Sequence, residues 1–167
     1  MIDVIWIDNL IKVLNYENRL YGQLFTIAEG KTDWIINNEI EDLQAAVGKE
    51  QRLFSELNKL RDAREQIIGQ ISFKIGKASS EVTASDIIKE LPENQAKRLS
   101  DVRDKLKATV DKLKVKNDLN QKLLQNALDY VDFSLNLLTE PAPQTPQYGR
   151  KGYEEGRKAR VVFDIKS

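Results

Sequence analysis

The side chains used most often for catalysis and metal binding are missing from this sequence. It contains no histidine and no cysteine, which removes the commonest general base, the commonest zinc ligand, thiolate nucleophiles and disulfide bonds. The carboxylate pairs Glu41/Asp42 and Glu154/Glu155 are adjacent in sequence, and neighbouring residues on a helix do not face each other. We therefore expect no enzyme activity, no cofactor and no metal site.

One short segment, Gly30-Lys31-Thr32, has the residue types that end a phosphate-binding P-loop. That loop needs a second glycine five residues earlier, where this chain has Phe25. It also needs a preceding strand, whereas this segment lies inside a helical pattern. We interpret it as ordinary helix surface that carries one glycine.

Charge is balanced in this chain. The 26 basic and 26 acidic residues give a formal net charge of zero, and lysines alternate with aspartates over 104–118, so the chain lacks the one-sided basic field that nucleic acids require. No apolar run approaches the ~18–20 residues that span a bilayer. Since Met1-Ile2-Asp3 lacks the basic start of a signal peptide, we predict a cytoplasmic protein without nucleic-acid partners.

Apolar residues recur with helical spacing in three long segments. They predict helices over about 3–36, 39–75 and 93–139, with a short helix over 86–91. The charged fraction of 31% and the few prolines and glycines favour long solvated helices. Because each long helix must bury one apolar stripe against its antiparallel neighbour, the predicted fold of residues 1–139 is all-α, an elongated antiparallel coiled coil or three-helix bundle.

Several positions on these helices have a predicted role. Glu17 falls on the apolar stripe of the first helix, where a polar residue fixes register or partner choice, the alternative being a functional carboxylate. Asn38 is predicted to be the N-cap of the second helix, with Glu41 completing a capping box. Thr83 or Ser85 is the predicted cap of the short helix. The stripe of the second helix is predicted to comprise Ile40, Leu43, Val47, Phe54, Leu57, Leu60, Ile68, Ile71 and Ile75.

The third long helix has the clearest seam and also an excess of apolar residues. Its seam steps by three and four from Leu99 to Leu138 and includes Asn117 and Asn120, which are expected to set the register inside the bundle. From Leu123 onward there are more apolar residues than one narrow stripe needs. The surplus predicts a docking face that begins close to Leu124; the alternative is that the loop or the short helix near residue 88 covers it.

Residues 140–167 differ in composition from the helices. Pro141, Pro143 and Pro146 predict an extended linker, and the rest is a tail that ends in the apolar triplet Val161-Val162-Phe163. That triplet is either a contact element or part of a terminus without a contact of its own. If it folds back, it would cover the apolar face of the third helix until displaced.

The order of several short motifs resembles the FlgN family of flagellar type III export chaperones. The resemblance begins with Asn117, Asn120, Leu123 and Leu124, followed by an amphipathic helix, a proline-bearing linker and Tyr148-Gly149-x-x-Gly152. It extends over the N-terminal half through Leu14…Glu17…Leu24, Asn38-x-Ile40-Glu41-x-Leu43, Lys49-Glu50-Gln51 and Leu57…Leu60…Arg64. The tail that includes Tyr153 and Val161-Val162-Phe163 is longer than the family pattern.

This resemblance implies a cytoplasmic, non-enzymatic chaperone. Such a protein binds the amphipathic helical termini of hook–filament junction proteins, prevents their premature association and delivers them to the membrane export gate. The family pattern implies that the gate contacts Tyr148. It implies that the client contacts the C-terminal helix, at Leu123, Leu124, Leu128, Val131 and Leu135, with Leu138 on the same stripe.

A second hypothesis needs no client. The apolar stripe could serve a structural coiled-coil oligomerisation or adaptor module, in which it is consumed internally or by a second copy of the chain. Weak self-association is therefore an additional expectation, and the measured oligomeric state separates the two hypotheses.

Overall fold

A computed structural model describes residues 2–139 of the chain. They form four helices, α1 (Val4–Asn37), α2 (Ile40–Ile75), α3 (Ala84–Lys89) and α4 (Glu93–Thr139), and none of them is in a strand. The predicted all-α fold is therefore confirmed. The predicted linker and tail, with Tyr148 and Val161-Val162-Phe163, lie outside the described residues.

The chain divides into two compact units, Met1–Leu124 and Gln125–Ser167. The division falls inside α4, at the residue where the sequence pattern predicts the change from core seam to docking face. Every buried side chain of residues 2–139 belongs to the first unit.

In the first unit, α1 and α2 run antiparallel and meet along a seam of apolar and ion-paired residues. Arg64 Nη1 lies 2.7 Å from Glu17 Oε2, and Lys31 Nζ lies 3.0 Å from Glu50 Oε1. The two partners on each helix are two heptads apart, so both pairs form at one register only. The predicted role of Glu17 in fixing register therefore agrees with the structure.

Helix α4 packs parallel to α1 and antiparallel to α2 in this unit. Its hydrogen bonds to α1 include three at positions ten residues apart on that helix: Arg98 to Asp8 (2.9 Å), Thr109 to Asn18 (2.7 Å) and Asn120 to the Ala28 carbonyl (2.7 Å). Between these polar layers, Leu24, Ala28, Leu57 and Leu113 form one apolar cluster. The up-down-up arrangement of the three long helices is the predicted one.

Helix α3 closes the end of the bundle where α1 and α4 begin. Its Ile87 packs in one cluster with Ile7, Leu10, Ile71 and Leu99. A capping box forms between Thr83 and Asp86, and hydrogen bonds from Lys77 and Thr83 hold the pKa of the Asp86 carboxyl well below its usual range. Because Thr83 is the cap, α3 begins two residues before the predicted start at 86.

The turn between α1 and α2 contradicts the predicted role of Asn38. Asn38 is left-handed, with φ of 57°, and its N–H donates to the Ile35 carbonyl while the N–H of Glu39 donates to the Trp34 carbonyl. This is a helix C-terminal motif, which asparagine can adopt in place of glycine. Asn38 therefore ends α1, and the residue before α2, Glu39, makes no side-chain cap bond.

The predicted stripe of α2 is wrong at three positions. Ile40, Val47 and Phe54 are about half exposed, whereas Ala46 and Leu57 are buried. The seam that faces α1 includes Ala46, Glu50, Leu57 and Arg64, which are four or seven residues apart, and two of these residues are charged. An apolar pattern alone cannot show that ion pairs occupy the seam and that apolar groups lie one residue beside it.

Candidate protein-binding surface

The sequence-predicted contact residues of α4 are accessible. Leu123 is half-buried, while five others form an accessible row with steps of four and three along one side of the helix. We call this row the α4 stripe; it comprises Leu124 (47% exposed), Leu128 (52%), Val131 (50%), Leu135 (52%) and Leu138 (83%). Tyr148, the remaining predicted contact residue, lies outside the described residues.

Apolar side chains are also accessible on other sides of the last turns of α4. Tyr130, Phe133 and Leu137 are each more than half exposed. Between Gln125 and Thr139 only Ala127 and Ser134 are even partly buried. The apolar surplus counted from the sequence is thus an accessible surface, and Ile87 of the short helix packs with Leu99 instead of covering it.

The charge of this surface is small and acidic. Between Leu123 and Thr139 the only charged residues are Asp129 and Asp132. Asp129 accepts a hydrogen bond from Gln125 at 2.9 Å, and the hydroxyls of Ser134 and Thr139 donate to carbonyls one turn earlier. The side chains of Gln125, Asp129, Ser134 and Thr139 are thus bonded within the helix, and the apolar atoms beside them are available for contact with a partner.

The two asparagines that precede the stripe differ in position. Asn120 is 5% exposed, and its amide donates to the Ala28 carbonyl while its Oδ1 lies 2.6 Å from the Thr32 hydroxyl. Asn117 is exposed, so its predicted role as a buried register residue is wrong. Steps of four and three from Asn117 lead through Gln121 to Leu124, which places Asn117 on the exposed side of α4 together with the stripe.

The segment that mimics a P-loop is a helical part of α1, as interpreted, but its polar side chains face neighbouring helices. Lys31 is ion-paired with Glu50, and the Thr32 hydroxyl lies between Asn120 Oδ1 and the Ala28 carbonyl at 2.6 and 3.2 Å. A Cβ added at Gly30 would come within 2.7 Å of the Trp34 ring. These residues hold α1 to its neighbours beside the end of the closed core.

Glu17 and Arg64 form the most buried ion pair of the first unit. The Glu17 side chain is 3% exposed and that of Arg64 is 32% exposed. Burial raises the pKa of the Glu17 carboxyl above its ordinary value of 4.5, and the charge and hydrogen bond of Arg64 oppose part of that rise. The carboxylate accepts a hydrogen bond from Arg64 at Oε2, so its geometry is that of a structural pair.

A second accessible row, on α2, was missed by sequence reasoning. Its members step by four and three and are all exposed and uncharged; we call them the α2 stripe, and they are Ile40, Gln44, Val47, Gln51, Phe54 and Asn58. The sequence did hold a signal. In a chain with 31% charged residues, a helix face of this length without charge is unusual for a surface that only meets water.

Two other kinds of site are not found among residues 2–139. No three His, Cys, Asp or Glu side chains are grouped so that they could hold a metal ion. None of the four helices has the length and apolar character needed to cross a lipid bilayer. The arrangement described above is suited to binding another helix through apolar contact.

Comparison with protein families identifies the chain. The family model described as FlgN protein matches residues 1–156, whereas no curated protein and no solved structure gives a match. Since the match spans almost the whole sequence, the chain belongs to the FlgN family. It is therefore a flagellar export chaperone, a class of protein that binds flagellar export substrates.

Proposed function

We propose that this chaperone holds the amphipathic helical termini of hook–filament junction proteins in the cytoplasm and delivers them to the membrane export gate. The client helix would lie on α4 with its apolar face against Leu123 and the α4 stripe. Tyr148, in the tail, would make the contact with the gate. Family membership supports the class of client, and the accessible apolar row supports the place of binding.

The observation that carries this proposal is the exposure of the α4 stripe. Leu128, Val131 and Leu135 have the heptad spacing of a coiled-coil seam, yet each is about half exposed. Water-exposed apolar groups at this spacing are the usual recognition surface for an amphipathic helix, which reads them as anchors three and four residues apart. Among the described residues of α4, no other row of exposed apolar side chains is as long.

Binding of this kind explains how such a chaperone would work without catalysis. A client helix that is released from the ribosome exposes its own apolar face and would associate with other copies of itself. Burial against α4 replaces that association at about 25 cal/mol for each square ångström of apolar surface removed from water. Because the contact is non-covalent, competition at the export gate is enough to release the client.

A binding measurement with stripe variants tests the proposal. Purified chain would be titrated calorimetrically with a hook–filament junction protein of the same bacterium, as wild type and as Leu128→Asp or Val131→Asp. A buried aspartate has no partner on an apolar client helix, so we expect each variant to weaken binding at least tenfold. Val115→Asp is the matched control, because Val115 is 71% exposed on the same helix and off the stripe.

The outcome of this titration also separates the client from self-association. Binding that persists undiminished in both stripe variants, while circular dichroism shows that they remain helical, would place the client elsewhere. Light scattering on the wild-type chain alone tests the coiled-coil module: a tight oligomer that the same aspartates dissociate, and that ignores junction proteins, would contradict the chaperone proposal.

The contact between Tyr148 and the gate needs its own experiment. We expect Tyr148→Ala to leave client affinity unchanged and to reduce the amount of junction protein secreted by flagellated cells. A variant that lowers affinity in the titration, or that secretes normally, would remove the proposed division between the client face on α4 and the gate contact in the tail.

A further inference from the structure

The groove between α2 and α4 is filled at one end by the chain itself. A cavity of about 250 Å³ lies there, and its lining from the three long helices is Leu10 and Leu14 of α1, Arg64 and Ile68 of α2, and Leu99, Arg103 and Leu106 of α4. Val82, Ala84 and Ile87, from α3 and the loop before it, line the same cavity. At this end a short helix therefore lies against both long helices and shields their facing sides.

Helical periodicity places the two uncharged rows on the continuation of that groove. Phe54 and Val47 precede Ile68 by two and three heptads, and Asn117 and Leu124 follow Arg103 by two and three heptads. Because α2 and α4 run antiparallel in the first unit, positions that differ by whole heptads stay on the same side of each helix and of the same groove. The α2 stripe and the beginning of the α4 stripe are thus its two walls.

The walls of this part of the groove carry no charge and no described residue fills it. Ile40, Val47 and Phe54, spaced one heptad apart, are 58, 46 and 51% exposed, and the amides Gln44, Gln51 and Asn58 lie between them. At 1.5 Å per residue the row is about 27 Å long. It ends where Arg61 and Glu65 form a surface ion pair.

We propose that α2 supplies the second wall of the client site, so that the client helix lies in the groove between α2 and α4 of the first unit and contacts Val47 and Phe54 as well as Leu124. This rests on the proposed function and adds a further binding element to it. The seven-residue spacing of the apolar α2 residues fits a helical occupant. Leu124 lies on the facing wall of this groove, and the place that the client takes is equivalent to that of α3 at the closed end.

The amide side chains on the α2 stripe determine which residue types on a client helix this wall can accept. Gln44, Gln51 and Asn58 can donate and accept hydrogen bonds without the desolvation cost of an ion. The wall therefore suits a client helix whose contacting face is apolar with uncharged polar residues such as Ser, Thr, Asn and Gln. A client helix with Lys or Glu on that face would have to bury a charge opposite an amide.

Affinity measurements on two phenylalanines of α2 test the second wall. A purified junction protein of the same bacterium is titrated against the full chain as wild type, Phe54→Asp, Phe73→Asp and Leu128→Asp. Phe73 is 85% exposed on the same helix and off the stripe, so it controls for the loss of an exposed aromatic ring. We expect Phe54→Asp to weaken binding about tenfold or more and Phe73→Asp to leave it unchanged.

The two variants distinguish failure of the second wall from failure of the proposed function. Loss of binding in Leu128→Asp with full affinity in Phe54→Asp would overturn the α2 wall and leave the α4 site standing. Absence of binding to the wild-type chain would overturn both.

Photocrosslinking gives a readout that does not depend on affinity. Benzoylphenylalanine in place of Phe54 should label the junction protein, and at position 73 it should not; labelling of a second copy of the chain from position 54 would contradict the proposal.

Discussion

Two sets of apolar side chains in this protein share the same helical spacing and differ in burial. Ile7, Ile71 and Leu99 are at most 1% exposed, whereas Leu128 and Val131 are about half exposed. Both sets consist of apolar residues, so hydrophobicity does not explain why one is buried and the other exposed. The residues beside them differ: paired polar residues interrupt the closed seam, whereas the exposed rows contain only uncharged residues.

The paired polar residues explain why the closed seam has one arrangement. Two ion pairs and one hydrogen bond form together at only one register of the three helices. They join Glu17 to Arg64, Lys31 to Glu50, and Asn120 to the Ala28 carbonyl. A shift by one heptad would leave buried charge without a partner, which is costly. Among residues 2–139 the α2 and α4 stripes have no such restriction, so an external helix can pack on them without breaking a bond that joins these helices.

The largest expected difference between the two sets concerns stability. Leu99→Ala should lower the free energy of unfolding by about 2–5 kcal/mol, because a fully packed leucine leaves a cavity. Leu128→Ala should change it by no more than about 0.5 kcal/mol, since surface substitutions have small effects. Urea denaturation followed by circular dichroism measures both. Equal losses in the two variants would mean that Leu128 belongs to the core.

The second expected effect concerns the ion pair that fixes the seam. Arg64→Ala removes the partner of a buried carboxylate and should cost about 3 kcal/mol at neutral pH, the lower end for broken buried pairs because Arg64 is partly exposed. Arg61→Ala is the matched control. Arg61 is 55% exposed and lies 3.9 Å from Glu65 on the surface, where a pair contributes about 0–1 kcal/mol. Similar unfolding midpoints for the two variants would argue against a register role for Glu17 and Arg64.

The two asparagines at the boundary between core and stripe provide a smaller and sharper comparison. Asn120→Ala leaves the buried Ala28 carbonyl without its amide donor and should cost about 1–3 kcal/mol. Asn117→Ala removes an exposed side chain and should be neutral within about 0.5 kcal/mol. Thermal unfolding of both variants decides whether the seam passes through position 120 alone. A larger loss of stability in Asn117→Ala than in Asn120→Ala would mean that Asn117, and not Asn120, faces the core.

The smallest expected effect is the pH dependence of Glu17. Its folded-state pKa is raised by burial, so the folded state binds the proton more tightly than the unfolded state does. The contribution of this group to stability is therefore fully present below the ordinary value of 4.5 and is lost as the pH rises through the folded-state pKa. The stability of the wild type relative to Glu17→Gln should fall with rising pH in urea titrations between pH 4 and 8. If this difference in stability rises with pH instead, the charge and hydrogen bond of Arg64 lower the pKa of Glu17 by more than burial raises it.

Particular residues show how far the sequence could predict this molecule. Regularly spaced apolar residues, such as Leu24 in α1 and Leu99 in α4, were enough to predict the helices and the antiparallel seam, and Glu17 was predicted as the polar residue in it. The exposed positions Phe54 and Asn117 were assigned to the core, because the residues three and four positions along a helix lie almost equally close to the residue from which they are counted, and either can continue an apolar stripe. Which of the two is buried depends on the facing helix, and that information is not local.

The candidate site was predictable in part for the same reason. The surplus of leucines after Leu124 is visible in composition, so the α4 stripe could be predicted before the fold was described. The α2 stripe could not, because its three apolar residues count as core residues until Glu50 and Arg64 are seen to occupy the seam. Its recognisable signal is the absence of charge over Ile40, Gln44, Val47, Gln51, Phe54 and Asn58.

Hydrogen exchange measured by mass spectrometry, with and without a bound junction protein, tests most directly whether the client helix lies on the α2 and α4 stripes. A client helix on the stripes should slow amide exchange in peptides from 123–139 of α4, since helix opening there would require the client to leave. We also expect slower exchange over 40–58 of α2 and little change around Leu99. Protection confined to the closed core, or no protection of 123–139 under saturating client, would contradict a client site on α4.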